Sequence, residues 1–306
     1  MVRHILKRIV LTLPALWLVL TLVFLMIHIV PGDPAEQMLG EGAAPGELLQ
    51  LRHSLELDLP LHVQYGRYLW RLAHGDLGQS FKFQAPVRRI IIERYPATLQ
   101  LAFLALVVCA AIAIPAGVLA AYQRGQNADR AVGLFTLFGL AFPNFALGPV
   151  LILVFSIELG LLPVSGRGGI TFYILPAATL GAALAAILTR MVRGSMLEEL
   201  SSDYVRTARA KGLSTMAVLF RHAFRNALIP IITILGLQFG TLLAGTIVTE
   251  NIFSWPGIGR LTVQAISSRD YPLLQGCILV ITASYVIVNL LTDLLYAVID
   301  PRVRLA

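Results

Sequence analysis

The chain has 306 residues, of which 57% are hydrophobic and only 13% are charged, and its mean hydropathy is +0.76. Soluble domains carry about 25% charged residues, so this composition excludes an ordinary soluble domain and favours a protein of the lipid bilayer. The net charge of +7 would suit a nucleic-acid partner, but the Lys and Arg residues separate apolar segments and form no basic face with interleaved aromatic residues, which argues against one.

Six apolar segments are long enough to cross a hydrocarbon core about 30 Å thick, which takes roughly 20 residues of helix. Because backbone amides in lipid must be satisfied within their own segment, we expect six transmembrane helices and an all-α polytopic fold. Pro176 lowers the hydropathy of the fourth segment, and Pro143 and Pro149 indicate that the third consists of two pieces. In chain order the segments are residues 9–30, 98–122, 131–157, 172–191, 227–248 and 274–298.

The basic residues predict the orientation of these helices. They concentrate before the first segment, between the second and third, between the fourth and fifth, and after the sixth, where Arg302 and Arg304 lie. The opposite short loops hold only Arg167, Arg260 and Arg269. By the positive-inside rule the four basic regions share the cytoplasm, so both termini are expected there.

A long polar segment, residues 31–96, separates the first and second apolar segments. We expect it to form a small helical cap on the outer side. The first apolar run exceeds that of a signal peptide, and no small-residue cleavage site precedes Pro31, so we interpret it as a retained span. The predicted division is residues 1–96, the first helix with the outer segment, and residues 97–306, a membrane core with a cytoplasmic helix at about 203–212.

The most informative motif lies between the fourth and fifth segments. It reads Asp203-Tyr-Val-Arg-Thr-Ala-Arg-Ala-Lys-Gly212, followed by Arg221-His-Ala-Phe-Arg-Asn-Ala-Leu-Ile-Pro230. Asp203 is suited to start a short helix and Gly212 to end it in the left-handed conformation, so the pattern predicts helix, tight turn, helix. By itself the cluster of basic residues is also typical of a loop that meets anionic lipid headgroups.

This motif resembles the coupling loop of ABC importer permeases, in particular the dipeptide/oligopeptide/nickel branch. The general signature is Glu-Ala-Ala, three residues, then Gly; aligned on Gly212, Arg206 and Thr207 replace its first two residues and Ala208 keeps the third. Such replacement is usual in that branch. Three further segments match, in order: Pro31-Gly-Asp-Pro34, Gly75-Asp-Leu-Gly-Gln-Ser80 with Pro86-Val87, and Glu250-Asn-Ile-Phe-Ser-Trp-Pro-Gly-Ile-Gly259. The resemblance covers nearly the whole chain.

The resemblance implies a type I ABC importer permease fold in a bacterial inner membrane and a subunit that transmits force and performs no bond chemistry. The partners it implies are a second, related permease, two ATPase subunits, a substrate-binding protein on the outer side and membrane lipid. ATP and Mg would belong to the ATPases, and this chain has no Gly-x4-Gly-Lys-Ser/Thr phosphate loop. The residues expected to couple to the ATPase are Asp203, Tyr204, Arg206, Thr207, Ala208, Arg209, Ala210, Lys211 and Gly212.

Several polar or small residues lie at membrane depth. Gln238 stands between the glycines of a Gly-x3-Gly pair, Gly236 and Gly240, whose ordinary role is close helix packing. The sixth segment contains Asn289, Thr292 and Asp293, of which Asp293 is expected to pair with an Arg near the cytoplasmic end. Because polar side chains in hydrocarbon face a partner or water, we predict Gln238, Gly240 and Asn289 as candidates for the pathway; the residues that bind substrate are not indicated.

Other functions compete with this interpretation. A stand-alone secondary transporter or channel would show repeats and broken helices, and an intramembrane hydrolase would need a base, for which His28 has no evident partner in the sequence. The histidines show no chelating spacing, so we expect no metal site, and Cys109 and Cys277 are expected to be buried thiols. The cargo stays open among dipeptide, longer peptide, glutathione, nickel and metallophore, as does whether the permease pair is a homodimer or a heterodimer.

Overall fold

The computed structural model describes residues 2–29, 34–39, 44–141 and 143–299. Three residues of one predicted motif, Pro31-Gly-Asp33, lie outside the described residues, as do Arg302 and Arg304. In chain order the elements are α1 (Val2–Ile29), α2 (Pro34–Leu39), α3 (Pro45–Ser54), α4 (Leu61–Ala73), β1 (Gln79–Ser80), β2 (Ala85–Pro86), α5 (Val87–Tyr122), α6 (Asn127–Ala141), α7 (Asn144–Leu151), α8 (Thr171–Leu200), α9 (Asp203–Ala210), α10 (Arg225–Ile252), α11 (Ile258–Ser267) and α12 (Tyr271–Ile299). Two π-helical segments, Ile152–Glu158 and Ala217–Phe224, extend α7 and precede α10.

The long helices have the length and hydropathy that a bilayer requires. Four stretches within the described residues qualify: α5, α8, the continuous helix Ala217–Ile252, and Tyr271–Leu295 of α12. A bent pair formed by α6 and the helix that follows it counts as a fifth, and α1 adds the apolar stretch Leu13–Leu25. The all-α polytopic prediction is confirmed. The count of six spans and the side of the termini fit these helices and stay predictions.

Several helices are longer than their apolar segments. α5 begins at Val87, not at residue 98, so the last ten residues of the predicted outer segment, 87–96, belong to this helix. α8 continues to Leu200, beyond the predicted end at residue 191. In the added part of α5, Val87 and Ile91 are buried while Arg89 is exposed. Hydropathy marks the part of a helix inside hydrocarbon, and it misses amphipathic turns that project beyond it.

The third apolar segment is divided, as its prolines predict. Pro143 precedes α7, and the helix direction changes by 106° between α6 and the following helix. Pro149 lies inside α7 and does not end it; the π-helical segment begins three residues later. Because a proline has no backbone N–H, it leaves one carbonyl of the preceding turn without its helical donor. The N-terminal end of α6 is held to α8 by Arg193, whose guanidinium donates to both oxygens of Asp129 at 2.6 and 2.8 Å.

Close contact between α5 and α8 forms the centre of the structure. A Cβ atom added to Gly117 would lie 2.6 Å from Cβ of Val192, and one added to Gly181 would lie 2.6 Å from the carbonyl oxygen of Ala105. Only glycine therefore allows the two backbones to approach at these points. The thiol of Cys109 is buried in this region, and Cys277 is buried in α12, as expected.

The described part of residues 31–96 contains α2, α3, α4 and a short β-hairpin, and the hairpin is bonded to the residue that precedes α12; its place on the outer side stays a prediction. Asp270, just before α12, accepts hydrogen bonds from the Ser80 hydroxyl at 2.5 Å and from the backbone N–H of Lys82 at 3.1 Å. α4 packs on α1, where the hydroxyls of Thr21 and Tyr65 lie 2.7 Å apart. These contacts fix the position of the hairpin and α4 relative to α1 and α12.

Candidate functional site

The motif between the fourth and fifth apolar segments forms the predicted helix, turn and helix. α9 starts at Asp203 after Ser202, whose backbone is extended, and Gly212 has a φ of +76°. In that left-handed conformation a Cβ atom would be strained, which explains the glycine. The second helix is the π-helical segment Ala217–Phe224, and it runs without interruption into α10.

One face of α9 is buried and the other is open. Val205 and Ala208 pack against Val218 of the π-helical segment. The Ala208 side chain is therefore part of this internal contact and does not face outward. Arg206 pairs with Asp203 at 3.3 Å, and both side chains are largely exposed. The other residues predicted to couple are also exposed: Tyr204, Thr207, Arg209, Ala210, Lys211 and Gly212.

Tyr204 ties this helix to the two spans that flank it. Its hydroxyl donates to the Glu199 carboxylate in the last turn of α8, and it is also hydrogen-bonded to the side chain of Asn226 at the start of α10. Burial and the neighbouring Glu199 carboxylate raise the pKa of Tyr204, so the phenol stays protonated at neutral pH. Tyr204 therefore joins α9 to the last turn of α8 and to the first turn of α10.

The predicted pathway residues make contacts within this chain. The Gln238 side chain is buried; its Oε1 lies 3.5 Å from the Cys109 thiol of α5, and its Nε2 donates to the carbonyl oxygen of Leu184 in α8 at 3.4 Å. A Cβ atom on Gly240 would lie 3.0 Å from Oδ1 of Asn289, which accepts no hydrogen bond from the described residues. These positions suit helix packing, and their place in a pathway stays a prediction.

A different face of α10 is open. It is formed by residues three or four apart that face away from α8 and α12: Leu237, Thr241, Ala244, Gly245 and Val248. This face was not predicted from the sequence, because Gln238 was the more prominent feature of the segment. The available signal was the set of small residues Thr241, Ala244 and Gly245, which follow Gln238 at helical spacing on the neighbouring side of α10.

At the C-terminal end of α10, the motif that begins with Glu250 folds around the side-chain carboxylate of Glu250. Glu250 is fully buried, and it accepts hydrogen bonds from the Thr98 hydroxyl at 2.7 Å and from the backbone N–H of Arg260 at 2.9 Å. A Cβ atom on Gly257 would collide with this carboxylate. The Trp255 indole closes the loop by donating to the carbonyl oxygen of Ala97 at 3.0 Å. The motif thus builds a rigid loop between α10 and α11.

The structure also places the residues considered for chemistry. Nε2 of His28 lies 3.0 Å from Oε1 of Gln64, so the histidine has a partner that the sequence did not reveal. Within the part of the chain that the structure describes, no three His, Cys, Asp or Glu side chains come together in a way that could hold a metal ion.

Comparison with known families and proteins gives consistent matches over the whole length. Residues 113–305 match the family model described as binding-protein-dependent transport system inner membrane component, and residues 1–102 match the model of the N-terminal part of such components. The glutathione transport system permease protein GsiC of Escherichia coli (strain K12) is 43% identical over 304 residues, which is 99% of both chains. Its counterpart from Salmonella paratyphi A is 42% identical over the same share.

Solved structures resemble the fold at low identity. A chain of the MetNI methionine ABC transporter in an inward-facing conformation has a TM-score of 0.59 at 17% identity, covering 69% of this chain and 96% of that chain. An amino acid ABC transporter crystallised with histidines has a TM-score of 0.51 at 16% identity, covering 70% and 94%. At this identity the likeness bears on the fold alone.

Proposed function

Since this chain belongs to the family of binding-protein-dependent transport system inner membrane components, of the peptide and nickel type, we propose that it supplies half of the path taken by a small peptide or peptide-like solute. As a member of that family it is a permease component of an ABC importer in the inner membrane and not an enzyme, and ATP hydrolysis belongs to partner subunits. Membership in this family excludes the alternative of a stand-alone secondary transporter or channel.

The single observation that carries the substrate class is the full-length likeness to glutathione permeases, which includes the outer segment as well as the membrane core. Glutathione is a tripeptide, so a solute with peptide bonds and free carboxylates is the cargo that this likeness favours. In such importers the binding protein delivers the solute at the outer mouth. The permease then has to provide a water-filled route and no covalent chemistry.

The coupling step is assigned to α9. Its exposed Arg206, Arg209 and Lys211 offer cationic side chains to a partner, while Val205 and Ala208 hold the helix against the chain. Because Tyr204 joins α9 to α8 and α10, a partner that moves α9 on binding ATP tilts these spans. The predicted contact set, residues 203–212, is therefore suited to receive the ATPase.

The assembly that we propose contains this chain, a second related permease, two ATPase subunits and an outer binding protein. Two open apolar surfaces support a second permease: the face of α10 that contains Thr241 and Gly245, and the face of α6 that exposes Leu137 and Phe138. Phe138 is 72% exposed, which is unusual for a large apolar side chain unless lipid or another subunit covers it.

The test is reconstitution of the complete importer in proteoliposomes with its binding protein. We expect ATP-dependent, vanadate-sensitive uptake of radiolabelled glutathione or of a dipeptide. A cysteine in place of Arg206 should crosslink to the ATPase. A cysteine in place of the exposed Arg89, in the first turn of α5, should not. Uptake by this chain alone, or equal crosslinking from both positions, would show that the proposed coupling is wrong.

A further inference from the structure

A cavity of about 450 Å³ lies between α1, α4 and the beginning of α12, and it includes none of the residues assigned to coupling or to the pathway. Its volume is within the range of small-molecule sites, roughly 300–1,000 Å³. Its wall combines apolar side chains with charged ones. We propose that this cavity binds the headgroup of an outer-leaflet phospholipid that carries both a phosphate and a primary ammonium group, as phosphatidylethanolamine does.

Two buried polar atoms in the wall call for such a ligand. The Tyr68 hydroxyl and Oε2 of Glu56 are shielded from solvent, and neither forms a hydrogen bond with another described residue. Oε1 of Glu56 accepts from Arg67 at 2.9 Å, whereas Oε2 is 3.9 Å from Arg71, beyond hydrogen-bonding distance. Buried polar groups are normally paired, because leaving one unpaired is destabilising. Both atoms are closed to a water-sized molecule in this structure, so an occupant meets this donor and this acceptor once the Tyr68 and Glu56 side chains rotate towards the cavity.

The charges around the cavity are of both signs. Glu56 and Asp76 contribute carboxylates and Arg71 contributes a guanidinium. Burial raises the pKa of Tyr68 to about 12, with a smaller contribution from Tyr65, so the phenol remains a donor. A phosphate fits Arg71 and the Tyr68 hydroxyl, and an ammonium N–H fits Oε2 of Glu56. Phosphatidylcholine has no N–H to donate, and phosphatidylglycerol has no cation.

The position of the cavity matches the level of lipid headgroups. His28 lies in the last turn of α1, and Leu279 lies about 12 Å along the axis from the first residue of α12. Trp70 of α4 is 69% exposed beside the cavity residue Arg71, and exposed tryptophans are enriched at the membrane interface. Below the cavity, the exposed Leu22 of α1 offers apolar surface for an acyl chain.

The experiment measures which lipids the importer retains. The complete complex is placed in nanodiscs of phosphatidylcholine that contain equal minor amounts of phosphatidylethanolamine and phosphatidylglycerol, and bound lipids are quantified by native mass spectrometry. We expect phosphatidylethanolamine to be enriched. Tyr68→Phe removes one hydrogen bond to a charged group, and Glu56→Gln keeps an acceptor but removes the negative charge beside the ammonium group, so each should lower its retention about tenfold. Tyr122→Phe, which changes an exposed tyrosine at the end of α5 and outside the cavity, is the matched control.

The two variants also differ in selectivity. Glu56→Gln should abolish the preference for phosphatidylethanolamine over phosphatidylcholine, whereas Tyr68→Phe should weaken retention of every phosphate-bearing lipid. Size-exclusion chromatography checks that both variants assemble. Equal retention of the three lipids, or unchanged retention in both variants, would overturn the proposal and leave water as the occupant. Displacement of the bound lipid by glutathione would overturn it in favour of a site for the transported solute.

Discussion

Replacing Tyr204 by Phe tests the proposal that α9 passes its movement to the membrane helices. The change removes only the hydroxyl that bonds to Glu199 of α8 and to Asn226 of α10. A hydrogen bond to a charged group contributes about 1.5–3 kcal/mol when it is buried. Tyr204 is 38% exposed, so we reduce this value to about 1 kcal/mol. That corresponds to roughly a fivefold larger population in which α9 is detached from the spans.

The assay compares solute taken up with ATP hydrolysed in proteoliposomes of the complete importer. We expect Tyr204→Phe to lower this ratio by up to about fivefold while ATP hydrolysis itself continues, because the ATPase sites are on other chains. Glu199→Gln keeps an acceptor but loses its charge and should give an intermediate ratio. Tyr122→Phe, which changes an exposed tyrosine outside the motif, should leave the ratio unchanged. An unaltered ratio in Tyr204→Phe, with the complex intact, would refute this account of coupling.

Three further changes test the packing that supports the site. Gly181→Leu should prevent assembly, because its side chain meets the backbone of Ala105, whereas Gly133→Leu in an open stretch of α6 should assemble normally on size-exclusion chromatography. Glu250→Ala should lower the melting temperature of the complex because the Thr98 hydroxyl and the Arg260 N–H lose their buried acceptor, at a cost of about 1–3 kcal/mol for each donor, and a melting temperature equal to wild type would contradict the described cage. Gln238→Leu should reduce thermal stability and uptake together; lost uptake at unchanged stability would instead place Gln238 in the pathway.

The parts that sequence predicted best are those with strong local signals. The long apolar runs predicted the helices, and the Gly212 stop predicted the end of α9 within two residues of its last helical residue, Ala210. The division of the third segment followed from Pro143, whose effect on a helix needs no tertiary partner. The family resemblance rested on several motifs in order, and the comparisons confirm it.

The parts that sequence could not predict depend on neighbours far along the chain. Gln238 is polar in an apolar run, but only the fold shows that Leu184 and Cys109 meet its amide. The glycines after Glu250 are explained by a carboxylate that turns back on them, which no local pattern reveals. Tyr68 gave no signal at all, since its unpaired hydroxyl is apparent only from the cavity that surrounds it.

The unbroken helix from Ala217 to Ile252 has 36 residues and is therefore about 54 Å long. Its first residues support α9, and its last residues lead into the Glu250 loop. Its contacts with α8 and α12 lie near its middle. If a stiff helix tilts about that point, its two ends move in opposite directions. We expect this geometry to favour opening at one end at a time, and a flexible glycine stretch inserted in the middle of the helix should uncouple the movements of its two ends.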